Sequence, residues 1–234
     1  MAATNGLRGG GRSAVGHGRR RRFRWSIRVL LLAVICGPIA APQASGGEQF
    51  PEAATRPAPQ AGFPLRFDSE IIKLSVVGDS LEVDGTYLLA CQSPFDRPIA
   101  LFYPFPVDSL LGGARMIDGR ARVGAKPWEP LRFQAIPGRD GVRWWVPPSD
   151  GDTITVQGRY RQAIRERYAR YIVTTTRAWD RPLRHARFEI RLPGGAEPVE
   201  FSFPFVPTSD SVGVVFVWET DGFYPDRDIT VRWR

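Results

Sequence analysis

The chain has 234 residues, 43% of them apolar and 12% aromatic, enough to bury a substantial core as one large domain or two small ones. Its formal net charge of +8 would suggest nucleic acid or an acidic membrane as a partner, but residues 1–28 hold Arg8, Arg12, Arg19, Arg20, Arg21, Arg22, Arg24 and Arg28 and no acid. Those eight account for the whole excess, leaving 24 basic (32 minus 8) and 24 acidic residues in the rest of the chain. Bulk phosphate binding therefore has no support, and no nucleic acid is expected as a partner.

The chain opens on a leader. A basic region ending in RRRRFRWSIR is followed by the apolar run Val29–Ala41 and then by the small residues of PQASGG, the three-part pattern of a secretory signal peptide. The apolar run is shorter than the ~20 residues a membrane span requires. Residues 1–45 are read as a cleavable signal peptide, with an uncleaved inner-membrane anchor through 29–41 as the alternative; a periplasmic or extracellular destination follows. Arg20, Arg21 and Phe23 fit a twin-arginine signal, but the usual preceding Ser or Thr is missing. Cys36 lacks the small residue that normally precedes a lipidated cysteine. If it leaves with the leader, Cys91 has no disulfide partner.

Residues 46–64, GGEQFPEAATRPAPQAGFP, read as a tether rich in Pro, Ala and Gly. From Leu65 onward the signal is period-two alternation. Leu81, Val83, Gly85, Tyr87, Leu89 and Cys91 share one face of a strand, with Glu82, Asp84 and Thr86 opposite. Ile154, Val156, Gly158 and Tyr160 face inward on another strand. Val199, Phe201, Phe203 and Phe205 form a third apolar row, and Ile229, Val231 and Trp233 a fourth. Val212–Val217 is apolar on both faces, which predicts a central strand. Asp-Gly pairs at Asp118, Asp140, Asp150 and Asp221 are read as hairpin turns. About eleven or twelve strands are expected over 65–234. The fold class is all-β, an antiparallel β-sandwich: either one enlarged sandwich or two immunoglobulin-like sandwiches in tandem, dividing near 147–152.

Candidate chemistry is sparse. His185 shares its face with Arg187, Glu189 and Arg191, opposite Ala186, Phe188, Ile190 and Leu192, so it points to solvent; no second histidine or nearby cysteine joins it, and neither metal nor cofactor is expected. Cys91 falls on the buried parity, and Thr174, Thr175 and Thr176 have no paired base. Glu189 and Glu200, read as cross-strand hairpin neighbours, are the carboxylates a hydrolase would need, but nearby arginines explain them as charge pairs. No catalytic residue is assigned. Tryptophans outside the core, Trp128, Trp145 and Trp179, are the candidate binding residues, as flat platforms for a sugar ring or another protein. The segment from Tyr168 to Pro193 reads as a hairpin with Trp179 at its tip.

The stretches EVDGTYLLACQSPFDRPIALFYPFPVDS and YIVTTTRAWDRPLRHARFEIRLP resemble bacterial secreted β-rich proteins of unknown function. That resemblance implies a fold and no catalytic residues. The expectation is an exported, non-catalytic β-sandwich of the bacterial envelope, a protein-binding or structural accessory. Its expected partner is another envelope protein, and it would touch the membrane only through an uncleaved leader. A carbohydrate-binding module taking a glycan on the exposed tryptophans is one alternative, and an uncharacterised hydrolase the other.

Overall fold

The computed structural model describes residues 62–234; the leader, Cys36, the expected cleavage region and most of the tether lie outside them. In chain order the elements are β1 (Leu65–Val77), β2 (Ser80–Cys91), β3 (Ile99–Pro104), β4 (Leu111–Val123), β5 (Glu129–Pro130), β6 (Phe133–Ala135), β7 (Gly141–Val146), β8 (Ile154–Ile164), β9 (Tyr168–Tyr171), a short 3-10 helix (Thr174–Trp179), β10 (Leu183–Arg191), β11 (Pro198–Phe201), β12 (Val206–Asp210), β13 (Gly213–Phe223) and β14 (Ile229–Trp233). The expected all-β class is observed. Fourteen strands replace the expected eleven or twelve because pieces as short as β5 and β6 carry no readable alternation.

The strands form one eight-stranded sheet, ordered β12-β13-β10-β1-β2-β8-β4-β5, and two three-stranded sheets, β11-β14-β9 and β3-β7-β6. All three sheets contribute to a single apolar core, in which Leu81, Ile154, Phe188, Val146 and Ile229 are all fully buried. The large sheet takes strands from both sides of residues 147–152.

Parity predicted β2, β8, β10 and β14 well: their inward residues are those that alternation selects, because a strand turns successive side chains to opposite faces. Cys91 departs from that pattern and is half-buried at the end of β2. Pairing was less legible. The segment from Tyr168 to Pro193 is not a hairpin: β9 pairs with β14 in a small sheet, while β10 lies in the large sheet, parallel to β1 and antiparallel to β13. The intervening 3-10 helix carries the chain from one sheet to the other.

Val212–Val217 is not central either. It forms the tip of the β12–β13 hairpin at a sheet edge, with Val212 and Val214 exposed. Asp118 and Asp221 lie inside β4 and β13 rather than in turns. Asp140-Gly141 and Asp150-Gly151 do precede strands, with both glycines at positive φ.

Two local devices shape the interior. The first is a bulge in β1. Phe67 pairs with Leu89 and Ser69 with Leu88, so Asp68 is an extra residue in the ladder. Leu65 and Phe67 point inward before it; Glu70, Ile72, Leu74 and Val76 do so after it. Asp68 itself is buried and paired with Arg66 at 2.7 Å and Arg184 at 2.8 Å. The second is a row of glycines across three strands, Gly85 on β2 opposite Gly158 on β8, which is opposite Gly119 on β4. A Cβ on Gly85 would lie 2.0 Å from the Tyr87 hydroxyl, and one on Gly158 would lie 3.0 Å from the Trp144 ring. The missing side chains make the floor on which these aromatic rings rest.

Candidate functional site

The bulge turns Glu70 into the core, where it is 2% exposed. Around it converge Tyr87 from β2, Tyr103 from β3, Trp144 from β7 and Tyr171 from β9, with Tyr160 of β8 packed behind Tyr103, all buried. The phenol of Tyr87 is the node: its hydroxyl lies 2.8 Å from that of Tyr103 and 3.1 Å from that of Tyr171. Tyr171 also draws the titration of the Glu70 carboxyl downward. The rings pack edge-on or tilted, with centroids 4.7 Å apart for Tyr103 and Trp144 and 5.6 Å for Tyr87 and Trp144, the separations that aromatic quadrupoles favour.

Burial dominates the electrostatics. Loss of solvent pushes the Glu70 carboxyl up from its ordinary 4.5 to about 8, against the downward pull of Tyr171. Burial likewise drives Tyr87, Tyr103, Tyr160 and Tyr171 well above the usual phenol range. At neutral pH the cluster is therefore uncharged. It is also incompletely satisfied: Glu70 Oε1, Trp144 Nε1 and Tyr160 Oη are buried with no hydrogen-bond partner. Such groups cost on the order of 1–3 kcal/mol each when left unpaired, so three in one region call for an explanation.

A cavity of about 70 Å³ adjoins the cluster, lined by Glu70, Tyr87, Tyr103, Trp144 and Tyr171, with Thr175, Thr176 and Trp179 of the 3-10 helix on another side. Asp228 holds that helix in place. Its Oδ1 accepts from the backbone N–H groups of Val173 and Thr174, both at 3.1 Å, and from the Thr174 hydroxyl at 2.8 Å; its Oδ2 accepts from Arg170 at 2.6 Å. The threonine run thus serves local backbone geometry and lines the cavity. The lining contains no Lys, Arg, His or Asp.

The sequence-derived candidates are scattered. Trp179 is half-buried, its ring 5.7 Å from Phe63 and 6.0 Å from Phe67, and forms a cavity wall rather than a hairpin tip. Trp128 lies against the guanidinium groups of Arg120 and Arg122 beside an outer cleft that also holds Asp84 and Asp118. Trp145 is stacked on Arg132. Trp179 and Trp128 line different clefts.

His185 sits between Asp221 (2.9 Å) and Glu219 (3.5 Å) on the outer face. Glu189 pairs with Arg187 at 2.9 Å, while Glu200 lies on β11 in a different sheet, 4.0 Å from Arg232. The two are not hairpin neighbours, and the carboxylate pair of the hydrolase alternative does not form. Among the described residues no group of three or more His, Cys, Asp or Glu could hold a metal ion. The residue that sequence reasoning missed is Glu70. Its signal was present, a lone acid at the head of the apolar row Ile72, Leu74, Val76.

No protein-family model matches the chain, and a comparison with curated proteins finds no match. Solved structures do match. A Legionella pneumophila protein provisionally described as nutrient binding shares 15% identity at a TM-score of 0.53, over 73% of this chain and 67% of its own. An M1 zinc metallopeptidase from Deinococcus radiodurans shares 18% at 0.43, and native leukotriene A4 hydrolase from Saccharomyces cerevisiae 10% at 0.49. The chain spans 42% and 32% of those two enzymes.

At these identities the likeness concerns the fold, and fold alone does not assign chemistry. The expectation of a non-catalytic protein-binding or structural accessory is nevertheless corrected. Part of its basis, the lack of a reactive constellation, gives way at the Glu70 cluster, where a buried carboxyl oxygen has no partner.

Proposed function

We propose that this chain is an exported protein that takes a small organic molecule into the cavity between its sheets, with Glu70 as the polar anchor. The observation that carries this reading is a fully buried carboxyl with one oxygen unpaired, lining a cavity walled by aromatic rings. A few convergent polar groups in an apolar, concave site are the usual make-up of a small-molecule pocket. Export is supported by the three-part leader pattern. The description of the Legionella pneumophila protein as nutrient binding is compatible with an enclosed ligand.

The test uses phenol as a neutral aromatic probe. Added to the full chain, it should change tryptophan fluorescence saturably, because Trp144 and Trp179 line the cavity. Filling the space with Leu101→Phe, which substitutes another lining residue, should remove the effect. A linear, unsaturable response in the unmodified protein would refute the proposal.

A further inference from the structure

Glu70 is the one ionisable group other than tyrosine that lines the cavity. Buried carboxylates elsewhere in the protein have resident cations: Asp68 has Arg66 and Arg184, and Asp228 has Arg170. Glu70 forms no ion pair among the described residues, although folding has placed it, through a one-residue bulge, where solvent cannot stabilise its charge. What surrounds it instead is a set of rings: Phe67, Tyr87, Tyr103, Trp144, Tyr171 and Trp179. Aromatic faces attract a cation through their quadrupole, and the attraction grows when water is excluded. A carboxyl at the bottom of an aromatic box, with an acceptor oxygen to spare, has the composition of a site for an ammonium group.

We infer that the cavity's ligand is a small organic cation, an alkylammonium compound whose charged head pairs with Glu70 and packs against the surrounding rings. This inference rests on the reading of the cavity as a ligand site. Trp144 Nε1, buried without an acceptor in the same lining, extends the class to ammonium compounds that also carry an oxygen acceptor, such as amino alcohols.

The proton balance is explicit. The free site holds Glu70 as a neutral acid; binding forms a carboxylate–ammonium pair, and the displaced proton passes to the buffer. The groups facing Glu70 from the other elements are phenols, Tyr87 from β2, Tyr103 from β3 and Tyr171 from β9, and all remain neutral over the range tested. Affinity for the cation should therefore follow the ionisation of Glu70 alone, while a primary amine stays protonated throughout.

The experiment is calorimetric titration of the full chain with n-propylammonium chloride, with 1-propanol as the neutral counterpart and phenol as the probe of access, at pH 6, 7 and 8 in buffers of different ionisation enthalpy. Propylammonium should bind on the order of tenfold or more tighter than propanol. Its affinity should rise about tenfold per pH unit toward pH 8, because only the ionised fraction of Glu70 is competent. About one proton should appear in the buffer per ligand bound at pH 6. Glu70→Gln should lose propylammonium binding and keep phenol binding.

Equal affinity for propanol and propylammonium, a pH-independent affinity, absence of proton release, or a Glu70→Gln protein that still binds the cation would each overturn the inference. If phenol enters while these tests fail, the cation class is wrong and the ligand cavity stands. If phenol does not enter, the cavity reading itself is lost. The proton count needs no variant, so it decides the matter even if Glu70→Gln does not fold.

Discussion

Replacing Glu70 by Gln should make the protein less sensitive to alkali, by an amount the structure sets. In the unfolded chain the carboxyl titrates near its ordinary 4.5; in the folded protein burial holds it near 8. Between these values the unfolded state has released a proton that the folded state keeps. Stability must fall as pH rises through this window, and the contribution is intact only below about 4.5. At about 1.36 kcal/mol per pH unit, the 3.5-unit interval corresponds to about 5 kcal/mol between pH 4.5 and 8, of which about 3 kcal/mol is already lost at pH 7.

Glutamine keeps the shape but cannot ionise, so the variant lacks this slope while every other carboxylate titrates as before. The assay is urea unfolding of both proteins at pH 5, 6, 7 and 8, followed by tryptophan fluorescence. The stability of the variant relative to the parent should climb by roughly 4 kcal/mol over that range. Parallel stability curves, differing by a constant within about 1 kcal/mol, would refute the claim that Glu70 is a neutral acid inside the core.

Two further substitutions probe the walls of the cavity. Asp228→Ala removes the acceptor for Arg170, Val173 and Thr174 at once; it should cost roughly 3–5 kcal/mol in urea unfolding and weaken phenol binding by freeing the 3-10 helix. Gly85→Ala puts a methyl group 2.0 Å from the Tyr87 hydroxyl, so the phenol must swing away from Tyr103 and Tyr171. The expected loss is roughly 2–4 kcal/mol, read by calorimetry as a fall in Tm of roughly 4–16 °C. A neutral result there would mean that the glycine row makes no room for the ring.

Alternation made the faces of the strands legible and left their partners dark. Leu81, Val83, Tyr87 and Leu89 point inward as the period-two rule requires, and so do Ile154, Val156 and Tyr160. The rule assigns a side to each residue and is silent on which strand lies alongside. Between Tyr168 and Pro193 the common habit of neighbouring strands pairing suggested a hairpin, whereas the chain changes sheets there and β10 joins β1 in parallel. Glu70 was legible through its parity with Ile72, Leu74 and Val76; what the alternation did not show was the Asp68 bulge, which reverses parity between Leu65 and Phe67 on one side and Ile72 on the other. The contact of Tyr87 with Tyr103 and Tyr171 spans 16 and 84 positions of sequence, beyond what any local pattern encodes.

The parallel pairing of β1 with β10 also has a consequence in time. Ser69 through Ser75 wait for His185 through Arg191, their register partners. At a synthesis rate of about 5–20 residues per second, those partners follow roughly 6–23 s later. Contacts of such long range delay the rate-limiting step of folding, because the loop between them must be closed before the pairing can repay it. Until then β1, bearing Ile72, Leu74 and Val76, has β2 on one side and an open edge on the other, free to recruit a neighbouring chain. The seam between β1 and β10 thus stays open through most of synthesis, and the interval before β10 arrives leaves the apolar row of β1 exposed to aggregation.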